Sequence, residues 1–585
     1  MVLGGAPRSS AARIAAGLVI AVSAGGAAQA QSGQNPPAPT GLGRADVDPA
    51  RRTAPTDAVA EAAAPVNDLR VCPFAGQGVN VTLTRVMAEG ATQVSPAEID
   101  AEVAQFLNRE TDLAVICQIR DRVAELYMRE GRRLTRVELP EQRITDGVLR
   151  LRVTEGYVAS TPIERPEAQG PSAALAQAYM GRLQTGRPAE WSEVERAVLL
   201  VREIPGAEPD IRLRPSMAGP GAIDVVTGFS PRRRFDVTVG AQYLGSEELG
   251  ETAVFARVDA NSFTRFGERT SLILFSSTGG EQQVVQLLEE VRLGWGGLLA
   301  RADVAYGRTE PAGVLTPLEI EGEALIARFG LRYPVILRQT SALTLGVRFD
   351  AINQENALGV LQGTGDATLF KEQLRVLAGE LDFRWRPAGR LSRLTTAGNL
   401  EIRKGVEGLG SSETGDAQLS RVEGRPDFAS VRLSLRARYD FQAGGQGPWA
   451  EVRTVSQWAD GPLLAYEEYQ VGNYTVGRGY DPGAASGDDA VAAQFEAGWT
   501  FVSNPGGARL ALTPFAFYDM ARLTNEDKFG FESEISSYGA GLHARYGNKY
   551  DVRVTYAVPQ DEPIPNAPKP DARWLITFAR AFAFH

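Results

Sequence analysis

The sequence predicts a transmembrane β-barrel of about 16 antiparallel strands, preceded by two small α/β modules. Three observations predict this fold class. From about Arg233 onwards, segments of about ten residues alternate strictly between apolar and polar side chains, as barrel strands do. The chain begins with an export signal, and beyond it no apolar run reaches the ~18 residues that a membrane helix needs.

The first 30 residues have the three parts of a signal peptide. Arg8 and Arg13 supply the positive charge, Ile14–Val22 is the apolar run, and small residues end with Ala28–Ala30. Cleavage after Ala30 would leave a mature chain outside the cytoplasm. Residues 31–67 are rich in Pro and Ala with few large apolar side chains, which is typical of a linker.

Charge and histidine content exclude several classes of function. The net charge of −10 argues against nucleic acid as a partner, because a phosphate-binding surface needs a basic face. Only two histidines occur, His543 and His585, so a histidine triad or metal cluster is excluded. Serine or carboxylate chemistry in the lumen stays open as an alternative, although no nucleophile elbow or helical H-E-x-x-H motif stands out. We expect no enzyme activity, no metal and no cofactor.

The two α/β modules are expected at residues 68–156 and 157–229. The first reads as β-α-α-β-β, and Ser95, Pro96 and Glu98 form a capping box that opens its first helix. The second is a weaker copy of the same order, with two helices identified by apolar spacing. Neither module contains a cluster of side chains suited to catalysis.

The two cysteines, Cys72 and Cys117, lie in the first module and are too few for a zinc site. In an oxidising compartment they can form a disulfide, closing a loop worth about 4 kcal/mol of stability. Two buried free thiols are the alternative.

Residues 230–585 carry the alternating segments. In "VRLSLRARYD", Val431 and Leu433 share a face with the other apolar side chains, and Arg432 and Ser434 lie on the opposite face. A soluble all-β domain would alternate in the same way. About sixteen segments, an even count, with an arginine-rich face suited to a watery lumen, favour the membrane barrel. In the last segment Arg580 interrupts the apolar face, so it lies near a membrane interface or the register is shifted by one residue.

One loop between the eleventh and twelfth segments, at about residues 461–488, contains "YTVGRGYDPG", with Arg478 between two glycines. With the two modules and the barrel, this loop resembles the outer-membrane transporters of two-partner secretion, the haemolysin-activator type within the outer-membrane insertase superfamily. The modules then resemble polypeptide-transport-associated (POTRA) domains, and "LYMREGRRLTRVELPEQRITDGVLRLRVTEGYV" carries the first of these resemblances.

The resemblance implies a location and a function. The barrel would lie in the bacterial outer membrane, in contact with lipid, with its POTRA domains in the periplasm. A large secreted exoprotein of the haemolysin, adhesin or toxin type would bind the POTRA domains and cross through the barrel. An insertase that assembles other outer-membrane proteins is the alternative within the superfamily, and a general porin is the alternative from another class.

The resemblance also implies a lumenal pair. In this family the loop folds into the barrel, and its arginine pairs with an aspartate of an F-x-D-x-G motif on the thirteenth strand. Arg478 and Tyr480 match the loop motif, and Phe517 and Asp519 match the strand motif. Taken alone, the loop is equally compatible with a solvated arginine; the matching Asp519 favours a buried pair.

Two positions depart from the family pattern. Gly477 is inserted before Arg478, which Gly479 follows, and Ala521 stands where the strand motif has its last glycine. We expect less room at the barrel wall beside Ala521. Some members also plug the barrel with an N-terminal helix, for which Asp46–Ala63 is the candidate segment.

Overall fold

The structure, a computed structural model, describes residue 44 and residues 72–585, with gaps at 166–169, 186, 231, 360–367, 529, 531 and 565–567. The expected signal peptide lies outside the described residues. So does the expected linker with its candidate plug helix, apart from Arg44.

The first module packs two helices against a three-stranded sheet of order β2-β5-β4, in which β2 and β5 run parallel. Ser95 caps α1 as predicted, because its Oγ accepts from the backbone N–H of Glu98 and the Glu98 carboxylate accepts from the Ser95 N–H. The elements are β1 (Asn80–Thr82), β2 (Arg85–Glu89), α1 (Pro96–Val103), β3 (Glu110–Asp112), α2 (Val115–Arg129), β4 (Arg136–Glu138) and β5 (Val148–Thr154).

The single first strand expected for this module is divided into β1 and β2, and β1 pairs with an additional short strand, β3. The backbone explains the break. The carbonyl of Leu83 accepts from the N–H of Asn108 at 2.7 Å, and the N–H of Thr84 donates to Gly147 at 2.8 Å. Residues 83 and 84 therefore bond to loops instead of to a neighbouring strand.

The second module repeats the strand-helix-helix-strand-strand order, with its sheet in the order β6-β8-β7. Its elements are β6 (Tyr157–Ser160), α3 (Pro171–Met180), α4 (Trp191–Arg202), β7 (Pro209–Pro215) and β8 (Ala222–Phe229). Its core also includes Leu337 of the following barrel, so the module packs against the barrel.

Sixteen strands close into one antiparallel barrel, as predicted. The last strand pairs with the first, from Ile576 opposite Tyr243 to Phe584 opposite Phe235, so the barrel has no open edge. The strands are β9 (Phe235–Tyr243), β10 (Thr252–Asn261), β11 (Arg269–Ser277), β12 (Gln282–Leu293), β13 (Leu298–Thr309), β14 (Ile320–Leu337), β15 (Ser341–Leu358), β16 (Thr368–Trp385), β17 (Leu394–Gly405), β18 (Ala429–Asp440), β19 (Gly447–Ala459), β22 (Asp489–Ser503), β23 (Leu510–Thr524), β24 (Glu532–Tyr546), β25 (Tyr550–Pro559) and β26 (Arg573–Phe584); β20 (Tyr469–Val471) and β21 (Ala485–Gly487) form a hairpin inside the loop after β19.

The outer surface of the barrel is apolar and carries aromatic side chains near both rims, as lipid-facing barrels do. Exposed aromatic residues near the rim where the long loop begins include Tyr306, Trp458, Tyr518, Tyr538, Tyr556 and Trp574, and those near the opposite rim include Phe235, Trp385, Phe441, Trp499, Phe501, Tyr546 and Phe584. In the described part of the chain, no helix is long and apolar enough to cross a membrane.

Arg580 lies on this outer face, so the predicted register of the last strand is correct. Its guanidinium lies 4.5 Å from the Phe582 ring centroid and 5.2 Å from that of Tyr550. The neighbouring Ala581 N–H donates to Lys549 in the turn between β24 and β25. The arginine is therefore at the end of the strand, where its charge reaches the interface.

Helix α4 attaches the second module to the barrel turns. Arg196 donates from Nη2 to the carbonyl oxygens of Gly296 at 2.8 Å and of Pro334 at 2.6 Å, and its guanidinium lies 5.5 Å from the Tyr333 ring. The carboxylate of Glu195 accepts from the N–H of Gln339. Two barrel turns are thus bonded to one helix, which fixes the module at this rim.

Candidate functional site

The loop between β19 and β22, which we call the lumenal loop (460–488), folds back into the barrel. Its side chains include Leu463, Leu464, Val471 and Tyr480, none of which is exposed to solvent. The β20–β21 hairpin gives the loop an internal ladder, with Val471 paired to Ala485. A loop with this many buried side chains packs as part of the barrel interior.

The loop tip places Arg478 against Asp519 on β23. Nε donates to Oδ2 at 2.8 Å and Nη2 to Oδ1 at 2.6 Å, and the backbone N–H of Arg478 donates to Oδ2 at 3.0 Å. Asp519 is 0% exposed and Arg478 is 8% exposed. This is a bidentate, charge-assisted pair in a confined space, the strongest geometry available to these two groups.

Alternate residues of β23 form the inner wall of the barrel around the Arg478–Asp519 pair. Phe515, Phe517, Asp519 and Ala521 of β23 are buried inside the barrel, and Met520 is exposed on the outside. The Arg478 guanidinium lies 3.6 Å from the centroid of the Phe517 ring, close enough for a cation–π contact.

A second carboxylate, Glu496 on β22, also contacts the arginine and was missed in the sequence. Arg478 Nη1 lies 3.1 Å from Glu496 Oε2, and Arg553 on β25 donates to Glu496 Oε1 at 2.8 Å. The positive charges of Arg478 and Arg553 therefore balance the negative charges of Asp519 and Glu496. Glu496 lies directly opposite Phe517 in the β22–β23 register. Its contact with Arg478 could have been predicted from the sequence only if that pairing register had been known.

The inserted Gly477 has φ of +108°, a conformation that other residues rarely adopt. A Cβ there would also lie 2.8 Å from Ile535 Cδ1. At Gly479 a Cβ would lie 2.8 Å from both Pro559 N and Ser537 Cβ, and the Gly479 N–H donates to Ser537 Oγ. The two glycines thus allow the turn before the arginine and the close contact after it.

Tyr480 fixes the tip to β24 and to the loop after β25. Its hydroxyl donates to the carbonyl of Ser536 at 2.8 Å and accepts from the N–H of Asp561 at 3.0 Å. The ring packs in one buried cluster with Val476, Ala521 and Ile535. Ala521, which replaces the family's glycine, is accommodated in this apolar contact.

The other predicted pair is in a different part of the molecule. Cys72 and Cys117 of the first module are joined as a disulfide, and Cys117 is buried in α2. Among the described residues, no group of three or more His, Cys, Asp or Glu side chains could hold a metal ion.

Beside the loop, the lumen contains a polar cavity of about 470 Å³. Oppositely charged side chains line it in pairs, such as Arg328 with Asp303 at 3.2 Å. The lining includes Arg257, Arg301, Arg332, Arg348, Glu380, Asp382, Glu401 and Ser434. The cavity wall therefore offers both hydrogen-bond donors and acceptors.

Comparisons with known proteins agree with this architecture. Residues 81–156 match the ShlB-type POTRA domain, and residues 221–544 match the haemolysin secretion/activation protein family ShlB/FhaC/HecB. The heme/hemopexin transporter protein HuxB of Haemophilus influenzae is 22% identical over 522 residues, covering 84% of this chain and 86% of HuxB. The outer membrane transporter CdiB of Escherichia coli O6:K15:H31 is 31% identical over 94 residues, which is 16% of each chain.

Solved structures share the fold over nearly the whole chain. CdiB from Escherichia coli aligns with a TM-score of 0.69 at 18% identity, covering 88% of this chain and 93% of that one. CdiB from Acinetobacter baumannii aligns with a TM-score of 0.61 at 13% identity, covering 91% and 95%. Because the family match alone spans more than half of the sequence, the chain belongs to the ShlB/FhaC/HecB family of haemolysin secretion/activation proteins.

Proposed function

We propose that this protein exports one large partner protein, which binds the POTRA domains in the periplasm and crosses the outer membrane through the barrel. The observation that carries the proposal is the lumenal loop, which occupies the barrel interior and is held there by Arg478 and Asp519. A pore closed by a charged, non-covalent contact can open and close again, as passage of a long chain requires.

The loop contact is proposed to stabilise the closed state. In this account Arg478 is the tip cation, Gly477 and Gly479 allow its approach, and Tyr480 fixes the tip. Asp519 and Phe517 provide the receiving wall. None of these residues takes part in a chemical reaction; they control access to the lumen.

The charged lining suits an extended polypeptide. An unfolded chain exposes backbone N–H and C=O groups that need hydrogen-bond partners wherever water is limited. Paired arginines and carboxylates supply both donors and acceptors along the wall. The sequence contains no P-loop, so we propose that folding of the partner outside the cell drives its export.

Recognition is proposed to use strand addition to a POTRA sheet edge. In the first module β2 and β4 are the sheet's edge strands, and in the second β6 and β7 are. An extended segment near the start of the partner would pair with one of them. We propose an exoprotein of the haemolysin, adhesin or toxin type as that partner.

The domain boundaries belong to the same proposal. Residues 1–30 would be removed on export and residues 31–67 would link to the POTRA domains at 68–156 and 157–229. The barrel would then span 230–585.

Deletion of residues 68–229 tests this function. We expect one large protein to disappear from the culture medium while the barrel remains in the outer membrane. A general porin would leave the medium unchanged, and an insertase would lose other barrel proteins from the membrane. Quantitative proteomics of medium and outer membrane separates these results, and either alternative pattern would contradict export.

A further inference from the structure

The turns at the periplasmic rim of the barrel carry positive charge. Antiparallel strands alternate in direction, so the turns after β14, β16, β18, β22 and β24 lie at the rim to which α4 is bonded. These turns, at 338–340, 386–393, 441–446, 504–509 and 547–549, contain no Asp or Glu, and their cationic residues are Arg338, Arg386, Arg390, Arg393, Arg509 and Lys549. The loops at the other rim are acidic by comparison, as in 244–251 with Glu247, Glu248 and Glu251.

The β16–β17 turn contains three of these cations within eight residues. A short 3-10 helix, Gly389–Leu391, folds the turn. The backbone N–H of Arg386 donates to the carbonyl of Thr340 in the neighbouring β14–β15 turn at 2.8 Å. The turn is therefore a bonded, ordered structure that presents Arg386, Arg390 and Arg393 at the rim.

No carboxylate among the described residues forms an ion pair with any of these three arginines. Arg393 Nη1 donates to the backbone carbonyl of Phe441 in the β18–β19 turn at 2.6 Å. Asp440, the acidic residue next to Phe441, is already paired with Arg438 at 2.9 Å. An anion from outside the chain is thus the partner that these guanidiniums lack, and a phosphate matches their planar, multiple donors.

Exposed apolar side chains lie directly beside the arginines. Trp385, at the end of β16, is 50% exposed, Leu391 in the turn is 53% exposed, and Phe441 is 49% exposed. The Phe441 ring also contacts the Tyr439 ring edge-on, at 5.0 Å between centroids. These side chains continue the apolar outer surface of the barrel down to the arginines, so a ligand at this place meets a charged end and an apolar end.

We propose that these six residues, Arg386, Arg390 and Arg393 with Trp385, Leu391 and Phe441, form a binding site for an anionic phospholipid of the periplasmic leaflet. We call them the rim patch. The arginines bind the phosphate of the headgroup, and the acyl chains lie against the apolar side chains. A free phosphate ion would satisfy the arginines but would leave the apolar side chains in water, which favours the lipid.

This contact holds the β16–β17 turn at the level of the lipid phosphates. It involves neither the lumenal loop nor the cavity, so it is separate from the proposed export and can be tested without a partner protein.

Quenching of Trp385 fluorescence by brominated lipid measures which headgroup is bound at the rim patch. The purified full-length protein is placed in phosphatidylcholine vesicles that contain a small fraction of brominated phosphatidylglycerol or of brominated phosphatidylcholine with the same acyl chains. Because the chain has seven tryptophans, the signal of Trp385 is taken as the difference between each protein and its Trp385→Phe counterpart. We expect phosphatidylglycerol to quench Trp385 at least about 2-fold more strongly than phosphatidylcholine.

Two double variants with equal loss of charge separate a site from the general charge of the rim. Arg386→Gln with Arg390→Gln should abolish the preference for phosphatidylglycerol. Arg509→Gln with Lys549→Gln, in other turns of the same rim, should retain it. All four positions are in turns, and the compact migration of unheated samples on gels verifies that each barrel is folded.

Three results would overturn the lipid site. The first is equal quenching of wild-type Trp385 by the two brominated lipids. The second is the same loss of preference in both double variants, which would show a general effect of rim charge. The third is loss of the preference in excess inorganic phosphate but not in sodium chloride of equal ionic strength, which would show that a free anion occupies the arginines.

Discussion

At the scale of single residues, the geometry of the loop tip depends on the planar guanidinium group of Arg478. It satisfies Asp519 through two side-chain bonds, contacts Glu496, and covers the face of Phe517. The resemblance to the family's loop and strand motifs predicted Arg478, Asp519 and Phe517. Glu496 could not be found, since its position depends on the pairing register of two strands that sequence alone leaves open.

Replacing Arg478 with alanine should release the loop tip. The change leaves the buried Asp519 carboxylate without its cation, at a cost of about 3 to 5 kcal/mol. That cost shifts the closed-to-open ratio by at least about 100-fold. Because the proposed export needs a regulated pore, the amount of partner in the medium, measured by immunoblot against a membrane loading control, should fall strongly.

Reversing the charges of Arg478 and Asp519 tests the same contact in a second way. Arg478→Asp should abolish export, and adding Asp519→Arg should restore part of it, because the pair is re-formed in the opposite sense. Arg478→Lys should be intermediate, since lysine lacks the bidentate fork. Wild-type export by Arg478→Ala would show that the pair does not control the pore.

Gly479→Ala should also prevent normal seating of the tip. The new Cβ would lie 2.8 Å from backbone of β25, which cannot move like a side chain. Gly379→Ala is the matched control, because a Cβ there meets nothing within 4 Å and Gly379 has an ordinary backbone conformation. Bilayer recordings should show more open current for Gly479→Ala only; equal currents from both variants would contradict the close-contact account.

At the scale of elements, the Glu155 carboxylate holds two parts of the first module together. Glu155 accepts from the backbone N–H groups of Thr92 and Gln93 at 2.7 and 2.8 Å, and from the Tyr127 hydroxyl at 3.1 Å. Burial alone would raise the pKa of Glu155, but these hydrogen bonds outweigh it and the pKa is lowered. Tyr127 and Glu155 both lie in the stretch that resembles a POTRA domain, but their contact is visible only in the folded module.

This carboxylate makes the module sensitive to acid. A lowered folded-state pKa means that the stabilisation is present above the unfolded value of about 4.3 and is lost as the pH falls through the folded value. Amide exchange at Thr92 and Gln93, corrected for intrinsic rate, should therefore lose protection as the pH falls below the unfolded value towards the lowered folded value. Glu155→Gln should remove that pH dependence; an unchanged pH profile would contradict the assignment.

The contact of α4 with the barrel is a second element-scale feature. Arg196→Ala removes hydrogen bonds to the carbonyl of Gly296 in a turn and to that of Pro334 in β14, which should weaken docking of the second module by about 1 to 3 kcal/mol. Trypsin should then cut the connector at Arg232–Arg234 faster. Arg187→Ala, which removes an exposed ion pair on the same module, should cut at the wild-type rate. Equal rates for both variants would show that Arg196 does not hold the module.

At the scale of the whole molecule, periodicity predicted most of the fold because barrel strands must alternate between lipid and water. The number of strands, the inward or outward direction of their side chains and the outward position of Arg580 all follow from this alternation. The division of β1 from β2 and the ion pair between Arg403 on β17 and Glu467 of the lumenal loop did not follow, since both depend on partners distant in sequence. The lumen is organised by such distant ion pairs, and these connect the loop to the wall.

The route of the partner is the central claim, and site-specific photocrosslinking tests it most directly. A photoreactive residue at Ser434 would line the lumen, while one at its neighbour Leu435 would face lipid on the same strand. With export stalled by a stably folded domain fused to the partner, we expect crosslinks to the partner from position 434 and none from 435. Crosslinks from 435 alone, or from neither position in a stalled complex, would contradict passage through the barrel.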